Sequence, residues 1–165
     1  MPRIRASLVL LAILAAAPLL TGASRTDTLT VSATVSARAK LQLSSLSMSF
    51  ADADPDTTPS VPASGGPLTI QAKGRTTIGS TVTLVMLATG DLQSGLDVIP
   101  ADRLSWTATG AGFVGGTVST AMAQAVGSWA NSGSWTGTQS YQFANAWNYS
   151  TGTYTTTLTY TLTAP

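Results

Sequence analysis

Threonine occupies every second position near the end of the chain, from Thr153 to Thr163. The positions between and after these threonines, from Tyr154 to Ala164, are apolar or aromatic except for Thr156. Successive side chains of a β-strand point to opposite faces, so this alternation predicts one strand with hydroxyl groups in water and an apolar face turned inward. A strand can bury such a face only against a second layer. The stretch therefore predicts a chain that folds as two packed β-sheets.

A second alternating stretch, residues 29–43, lies near the start of the chain. A strand of this length would span about 50 Å, which is more than a small domain accommodates. Either it bends at its alanines into two strands, or its first half extends beyond the domain. Its apolar face consists of Leu29, Val31, Ala33, Val35, Ala37, Ala39, Leu41 and Leu43.

Two partners are open to this N-terminal strand. We expect it to pair within its own chain, with residues 154–162 as the candidate partner. The alternative is addition to a neighbouring molecule, in which Leu29, Val31, Ala33 and Val35 form the strand that the neighbour receives. In that case Arg38 and Lys40, the only charged residues of the stretch, mark where the extension meets the domain.

The rest of the chain has the pattern of short strands separated by turns. Glu is absent and Lys is rare, which argues against exposed helices. We predict an all-β protein, a two-sheet antiparallel immunoglobulin-like β-sandwich of about 7–9 strands that forms a single domain from residue 24 to 165. The predicted segments are a loop at 51–67, a strand at 68–72 closed by a turn at 73–75, a central strand within 76–89, a strand at 104–108, a strand rather than a helix within 113–126, a loop at 127–137 and a strand at 139–144.

Residues 1–23 have the pattern of a secretory signal peptide. Arg3 and Arg5 form a basic start, residues 6–20 an apolar run, and Thr21-Gly22-Ala23 a cleavage site of small residues. The run is shorter than the roughly 20 residues of a transmembrane helix, so cleavage near Ala23 is favoured over an uncleaved anchor. We expect a secreted or cell-surface protein, with periplasmic transit if the cell is Gram-negative, and no membrane span after cleavage.

Composition argues against two functional classes. The chain has 8 Lys and Arg against 7 acidic residues, and loss of Arg3 and Arg5 would change its net charge from +1 to −1, so it lacks the basic excess that nucleic acid requires. It contains no His, Cys or Glu. A Ser-His-Asp hydrolase would lack its base, and a zinc site its usual ligands. We expect a non-enzymatic protein with no catalytic residue and no cofactor.

Asp52, Asp54 and Asp56 alternate in the predicted loop and form a weak candidate metal site. Three converging carboxylates can hold calcium. However, Thr57 stands where an EF-hand loop has Gly, and Ala63 stands where it has Glu. Asp next to Pro is also ordinary turn chemistry, so we expect a turn and no metal.

Aromatic residues cluster late in the chain among Gly, Ser and Asn. Exposed Trp and Tyr can stack on sugar rings, which makes Trp129, Trp135, Trp147 and Tyr149 candidates for glycan contact. The alternative, which we expect, is that they pack at the end of the sandwich, as amphipathic aromatics do in small β domains.

The C-terminal residues Tyr154-Thr-Thr-Thr-Leu158-Thr-Tyr160-Thr-Leu162-Thr-Ala164-Pro165 resemble the closing segment of WxL domains, which are surface domains of Gram-positive bacteria. Leu46-Ser-Met48-Ser-Phe50 and Leu104-Ser-Trp106-Thr-Ala108 resemble earlier parts of that family. Tyr160 stands where the family has its final Trp, and Ala108 where the first motif has Leu. The resemblance implies a cell-surface domain held by non-covalent contacts.

The chain is also similar to chaperone–usher pilus subunits of the spore-coat-like kind. The shared features are a signal peptide, an alternating N-terminal extension and a Gly152-Thr-Tyr154 sequence before a Thr-rich last strand. Both resemblances imply an exported, non-enzymatic bacterial surface protein, structural or adhesive. Its partners would be cell-wall or surface polysaccharide, copies of itself or other surface proteins. The alternatives to WxL-like attachment are a fimbrial subunit that assembles by donor-strand exchange and a polysaccharide-binding module.

Overall fold

β-Strands provide nearly all the regular structure of residues 25–165, the part of the chain that the computed structural model describes. The chain falls into two units, Met1–Ala33 and Thr34–Pro165, and every strand of the described residues lies in the second. A 3₁₀ turn at Ala101–Arg103 is the only helical element of the described part, and no helix there is long and apolar enough to cross a membrane. The strands are β1 Arg38–Leu43, β2 Ser60–Pro62, β3 Leu68–Arg75, β4 Thr81–Ala88, β5 Leu92–Ser94, β6 Asp97–Ile99, β7 Leu104–Thr109, β8 Gly116–Thr117, β9 Gln124–Ala130, β10 Gly133–Ala144 and β11 Leu158–Thr163. The predicted signal peptide, residues 1–23, lies outside the described residues.

The strands form two main sheets that pack face to face. The larger has the order β1-β3-β10-β7-β8, with β2 also paired to β10, and the smaller has the order β11-β4-β9. A separate hairpin joins β5 and β6, and every strand pair is antiparallel. Ile70 and Ala72 of β3 share one core with Val82, Leu84 and Met86 of β4, and all five are fully buried. The predicted all-β, two-sheet antiparallel sandwich is confirmed.

The two ends of the sandwich differ in the length of their connections. At one end a short turn, residues 76–80, joins β3 to β4 and lies against the β9–β10 turn. There the backbone N–H of Thr76 donates to the Ser132 hydroxyl at 2.9 Å, and that of Gly79 donates to the Asn131 side chain at 2.8 Å. We call this the hairpin end. The opposite end, the loop end, carries residues 44–67, 89–103 and 145–157.

The predicted alternation of faces along β11 and the predicted central position of β4 are both correct. β4 is the central strand of the smaller sheet, with its even-numbered residues buried. Threonines of β11 are exposed and the residues between them are half-buried. This strand is nevertheless shorter than predicted, since it begins only at Leu158. Before it, Thr155 bonds to Gln93, and the Thr156 hydroxyl donates to the carbonyl of Gly90 at 2.7 Å.

The loop predicted at 127–137 is wrong, because most of this segment belongs to β9 and β10. Its glycines suggested a loop, but in the sheet they make room for aromatic rings. A Cβ atom on Gly127 would lie 2.4 Å from the Trp129 ring, and one on Gly137 would lie 2.4 Å from the Phe113 ring. The connection between the strands is short, with Asn131 at a positive φ of 64°. A hairpin replaces the predicted loop.

The turn predicted at 73–75 is also wrong. These residues complete β3, and Gly74 is buried where a Cβ atom would lie 2.7 Å from the side chain of Val82. Within 113–126 the preference for strand over helix is confirmed in part. β8 and the start of β9 lie there, separated by a turn in which the Ser119 hydroxyl accepts from the backbone N–H groups of Ala121 and Met122.

Candidate assembly surface

The N-terminal stretch forms a strand only in its second half. Residues 25–37 have no strand pairing, and Leu29, Val31 and Val35 are 87%, 82% and 70% exposed. β1 begins at Arg38 and pairs with β3, so the predicted pairing of the whole stretch within the chain, against residues 154–162, is wrong. Because β3 ends at Arg75, the residues before Arg38 have no backbone of β3 beside them with which to pair. An alternating apolar segment therefore remains unpaired; we call residues 28–37 the N-terminal segment.

The two sheets share an edge at which neither is covered by a further strand. β1 and β11 are edge strands that lie next to each other, and among residues 25–165 no strand pairs with the outer side of β11. The apolar side chains along this edge are half-buried rather than buried. They are Leu41, Leu43, Leu158, Tyr160 and Leu162. Free backbone N–H and C=O groups beside an apolar row are the condition under which a sheet accepts another strand. We call this region the open edge.

A polar cluster inside the core fastens β11 to the larger sheet. The Tyr160 hydroxyl donates to Oε1 of Gln139 at 2.5 Å and accepts from the Tyr141 hydroxyl at 2.5 Å, and the Met86 sulfur lies 3.1 Å from the Tyr141 oxygen. Gln139 is fully buried, and its Nε2 has no partner among the described residues. These bonds cross between the sheets and hold the open edge in position.

Burial keeps both tyrosines of this cluster protonated. It raises the pKa of Tyr160 to about 12, although the hydrogen bond with Tyr141 opposes the shift. Burial also raises the pKa of Tyr141, and the neighbouring Tyr160 raises it further. At neutral pH both hydroxyls are protonated and act as hydrogen-bond donors and acceptors inside the core.

The four aromatic candidates for glycan contact do not form one surface. Trp129 is buried, stacks on Trp135 with ring centres 4.7 Å apart, and donates its Nε1–H to the carbonyl of Ala111 at 2.8 Å. These two residues lie towards the hairpin end. Trp147 and Tyr149 follow β10 at the loop end, where Trp147 is 70% exposed and Tyr149 is half-buried. Trp147 thus presents the most accessible ring of the four.

Two of the three carboxylates in the candidate metal loop accept hydrogen bonds from other residues of the protein. Asp52, Asp54 and Asp56 are all exposed. Oδ1 of Asp54 accepts from the backbone N–H of Asp56 at 2.9 Å, and Oδ1 of Asp56 accepts from Nε1 of Trp147 at 3.0 Å. In residues 25–165 no three His, Cys, Asp or Glu side chains gather as a metal site would require.

A group of four basic residues lies on the outer face of β1 and β3, near the hairpin end. Arg38 lies directly opposite Arg75, and Lys40 lies opposite Lys73. All four are exposed, and none of them forms an ion pair within the described chain, where the salt bridges are Arg25–Asp27 and Arg103–Asp102. We call them the basic quartet. Sequence analysis missed it because Lys73 and Arg75 were placed in a turn. The signal was a pair of basic residues two positions apart in each of two strands.

Comparison with known proteins assigns no family to the chain. A scan against protein-family models finds no match, and a search of curated proteins finds none either. The function is therefore argued from the N-terminal segment, the open edge and the charges around them.

Proposed function

We propose that the chain is an exported, non-enzymatic structural protein of the bacterial cell surface that assembles with copies of itself. In the assembly, the N-terminal segment of one molecule adds as a strand to the open edge of the next. The observation that carries the proposal is the exposure of Leu29, Val31 and Val35 in a segment without strand pairing. Adding strands to a neighbour's sheet edge is an established way in which β proteins associate.

The segment and the edge match in pattern. Leu29, Val31, Ala33, Val35 and Ala37 alternate with polar residues, so one face of an added strand would cover the half-buried row of the open edge and the other would face water. These five residues span about 26 Å, long enough to run beside all of β11. The strand would pair with the free side of β11, whose other side already bonds to β4.

Burial of the segment supplies the driving force. Removing Leu29, Val31 and Val35 from water is worth about 1.5–3 kcal/mol each. Backbone hydrogen bonds along β11 would add direction and register. Ordering a flexible segment opposes this gain, which is expected of a segment that becomes a strand only on binding.

The proposed location rests on residues 1–23, whose pattern predicts export. An exported, non-enzymatic surface protein is what both family resemblances imply, and the WxL-like resemblance implies non-covalent attachment. A wall polysaccharide remains the second candidate partner, favoured by one observation, the 70% exposure of Trp147 at the loop end.

Deletion of residues 25–37 from the secreted chain tests the proposed assembly. Every strand of residues 25–165 lies at or after Arg38, so the deleted protein should keep its sandwich and its urea midpoint within a few tenths of a molar. It should sediment as a monomer at concentrations where the intact chain forms oligomers. Sedimentation velocity and urea unfolding measure the two properties separately.

A matched control changes only the apolar pattern. Leu29→Ser with Val31→Ser keeps the length of the segment and removes its apolar face, so it should also give a monomer, while Thr30→Ser with Thr34→Ser should leave oligomers intact. Oligomers that survive the deletion would overturn the proposal. A deleted chain that no longer folds would show that the segment is an internal strand and would overturn it as well.

A further inference from the structure

The charged residues of the sandwich are separated between its two ends. All the acidic residues after Asp27 lie in loop-end segments: Asp52, Asp54, Asp56, Asp91, Asp97 and Asp102. Five of them are exposed, Asp91 is half-buried, and the one basic residue among them, Arg103, pairs with Asp102. The basic residues of β1 and β3, by contrast, form the quartet near the hairpin end. One end of the domain is therefore acidic, and the opposite half carries a basic face.

Repulsion within the basic quartet lowers the folding stability of the isolated molecule. Like charges directly opposite each other on neighbouring strands repel, and the cross-strand pairs Arg38–Arg75 and Lys40–Lys73 both do so. The chain has only 15 charged residues, since Lys and Arg number 8 and acids 7. In a chain with so few charged residues, two like-charge pairs without acidic partners indicate a face that meets negative charge from another molecule.

The direction of strand addition determines what meets the quartet. β11 runs from the loop end, where Leu158 lies opposite Ala88, to the hairpin end, where Thr163 lies opposite Thr83. A strand that adds antiparallel to β11 enters at the hairpin end and leaves at the loop end. The last residue of the N-terminal segment, Ala37, then reaches the acidic loop end of the receiving molecule. Arg38, the first residue of β1 and a member of the quartet, follows immediately.

We propose that the basic quartet of one molecule docks against the acidic loop end of the next, so that charge sets the direction and the salt sensitivity of head-to-tail assembly. This inference rests on the proposed function, since the N-terminal segment brings the two surfaces together. Opposite charges placed within the Debye length, about 8 Å at physiological salt, attract and steer association. Two different surfaces in contact make a heterologous interface, which continues as an open chain unless its rotation closes a ring.

The first test neutralises the quartet without disturbing the fold. The double variant Arg38→Glu/Lys40→Glu converts both like-charge pairs into opposite-charge pairs, so its urea midpoint should stay equal or rise. Its self-association constant, measured by sedimentation on the secreted chain in 150 mM NaCl, should weaken at least tenfold. Raising NaCl to 500 mM should weaken the wild type and leave the variant almost unchanged.

The second test reverses the sign of the quartet and separately reduces the negative charge of the loop end. Asp52→Lys/Asp97→Lys makes the loop end less acidic at two exposed carboxylates that make no hydrogen bond or ion pair in residues 25–165, and it should weaken assembly alone. Replacing all four quartet residues by Glu should weaken it too. Combined in one chain, the two sets should associate more strongly than the four-Glu variant alone, because a loop end with four carboxylates and three basic side chains repels the reversed quartet less than the wild-type loop end does.

The outcomes separate this inference from the proposed function. Should deletion of residues 25–37 abolish assembly while the charge variants leave it unchanged, the docking of the quartet is refuted and strand addition stands. Should the deletion leave assembly intact, strand addition is refuted, and the docking that rests on it falls too. If Arg38→Glu/Lys40→Glu assembles normally but loses retention on immobilised dextran sulfate, the quartet binds an anionic polymer instead, and the inference is overturned.

Discussion

Individual tryptophans of the chain occupy different environments. Trp129 lies in the core, where its ring stacks on Trp135 and packs edge-on against Phe113 with centres 4.8 Å apart. Trp147 has most of its ring in water and one hydrogen bond to Asp56. The same residue type thus has a packing role in one place and an accessible surface in the other.

Alanine substitution should separate these two roles. Trp129→Ala should destabilise the protein by about 3–5 kcal/mol, since it leaves a large cavity between the sheets. Trp147→Ala should change stability by at most about 1 kcal/mol, the value of one hydrogen bond at the surface. Urea unfolding measures both. If the protein binds purified wall polysaccharide, only Trp147→Ala should weaken that binding without unfolding the domain; a loss of stability in Trp147→Ala equal to that in Trp129→Ala would contradict this distinction.

The Tyr160 hydroxyl should make stability depend on pH in the alkaline range. Its pKa is about 12 in the folded protein, whereas an unfolded tyrosine ionises near pH 10. Between pH 10 and 12 the unfolded state loses a proton that the folded state keeps, so stability is full below pH 10 and falls as pH rises.

Tyr160→Phe tests this dependence. At pH 7 the variant should lose about 1–3 kcal/mol because the Gln139 side chain loses a buried partner. Above pH 10 its urea midpoint should fall less steeply than that of the wild type, since one of the two raised tyrosines is gone. The same slope in both proteins would show that Tyr160 ionises like an exposed tyrosine.

At the scale of elements, the N-terminal segment and β11 should gain protection together. In a dilute monomer the amides of residues 28–37 should exchange with deuterium at rates near those of an unfolded chain, because no strand bonds them. In oligomers, amides of the segment and those on the free side of β11 should both slow by at least tenfold. Hydrogen exchange followed by mass spectrometry at two protein concentrations measures this. Protection of the segment without any change in β11 would place the added strand elsewhere.

Periodicity predicted the strands whose two faces differ in polarity. β11 and β7 were recognisable because each alternates over its whole length, and β4 because residues 84–88 are continuously apolar. The β9–β10 hairpin was missed because its glycines, here Gly127 and Gly137, have the composition of a loop. Their role depends on rings that come from elsewhere in the fold, and a local pattern does not contain that information.

The candidate site was predictable only in part, for a similar reason. The apolar alternation of residues 29–37 is visible in the sequence, but its exposure depends on where β3 ends. The quartet depends on register, because Arg38 and Arg75 meet only when β1 and β3 pair as they do. Pairing between distant segments is decided by the whole fold, so sequence analysis could identify the segment and not the charges at its base.

At the scale of the whole molecule, a chain without residues 25–37 should act as a terminator. It keeps an open edge that can receive a strand and lacks the segment that would extend the assembly. When one molecule in ten is the deleted protein, assemblies of the intact protein should become shorter. Each assembly that incorporates a deleted molecule stops growing at that end. Static light scattering follows the mean size. The variant Leu29→Ser/Val31→Ser should do the same, whereas Thr30→Ser/Thr34→Ser should have no effect.

The separation of charge between the hairpin half and the loop end also acts before any contact is made. A body with cations in one half and anions at the other end has a permanent electric dipole, and an electric field exerts a torque on it. Near a negatively charged envelope, within a few Debye lengths, the domain would turn its hairpin end inward and its loop end outward. The face that passing molecules meet first would then be the one that carries Trp147.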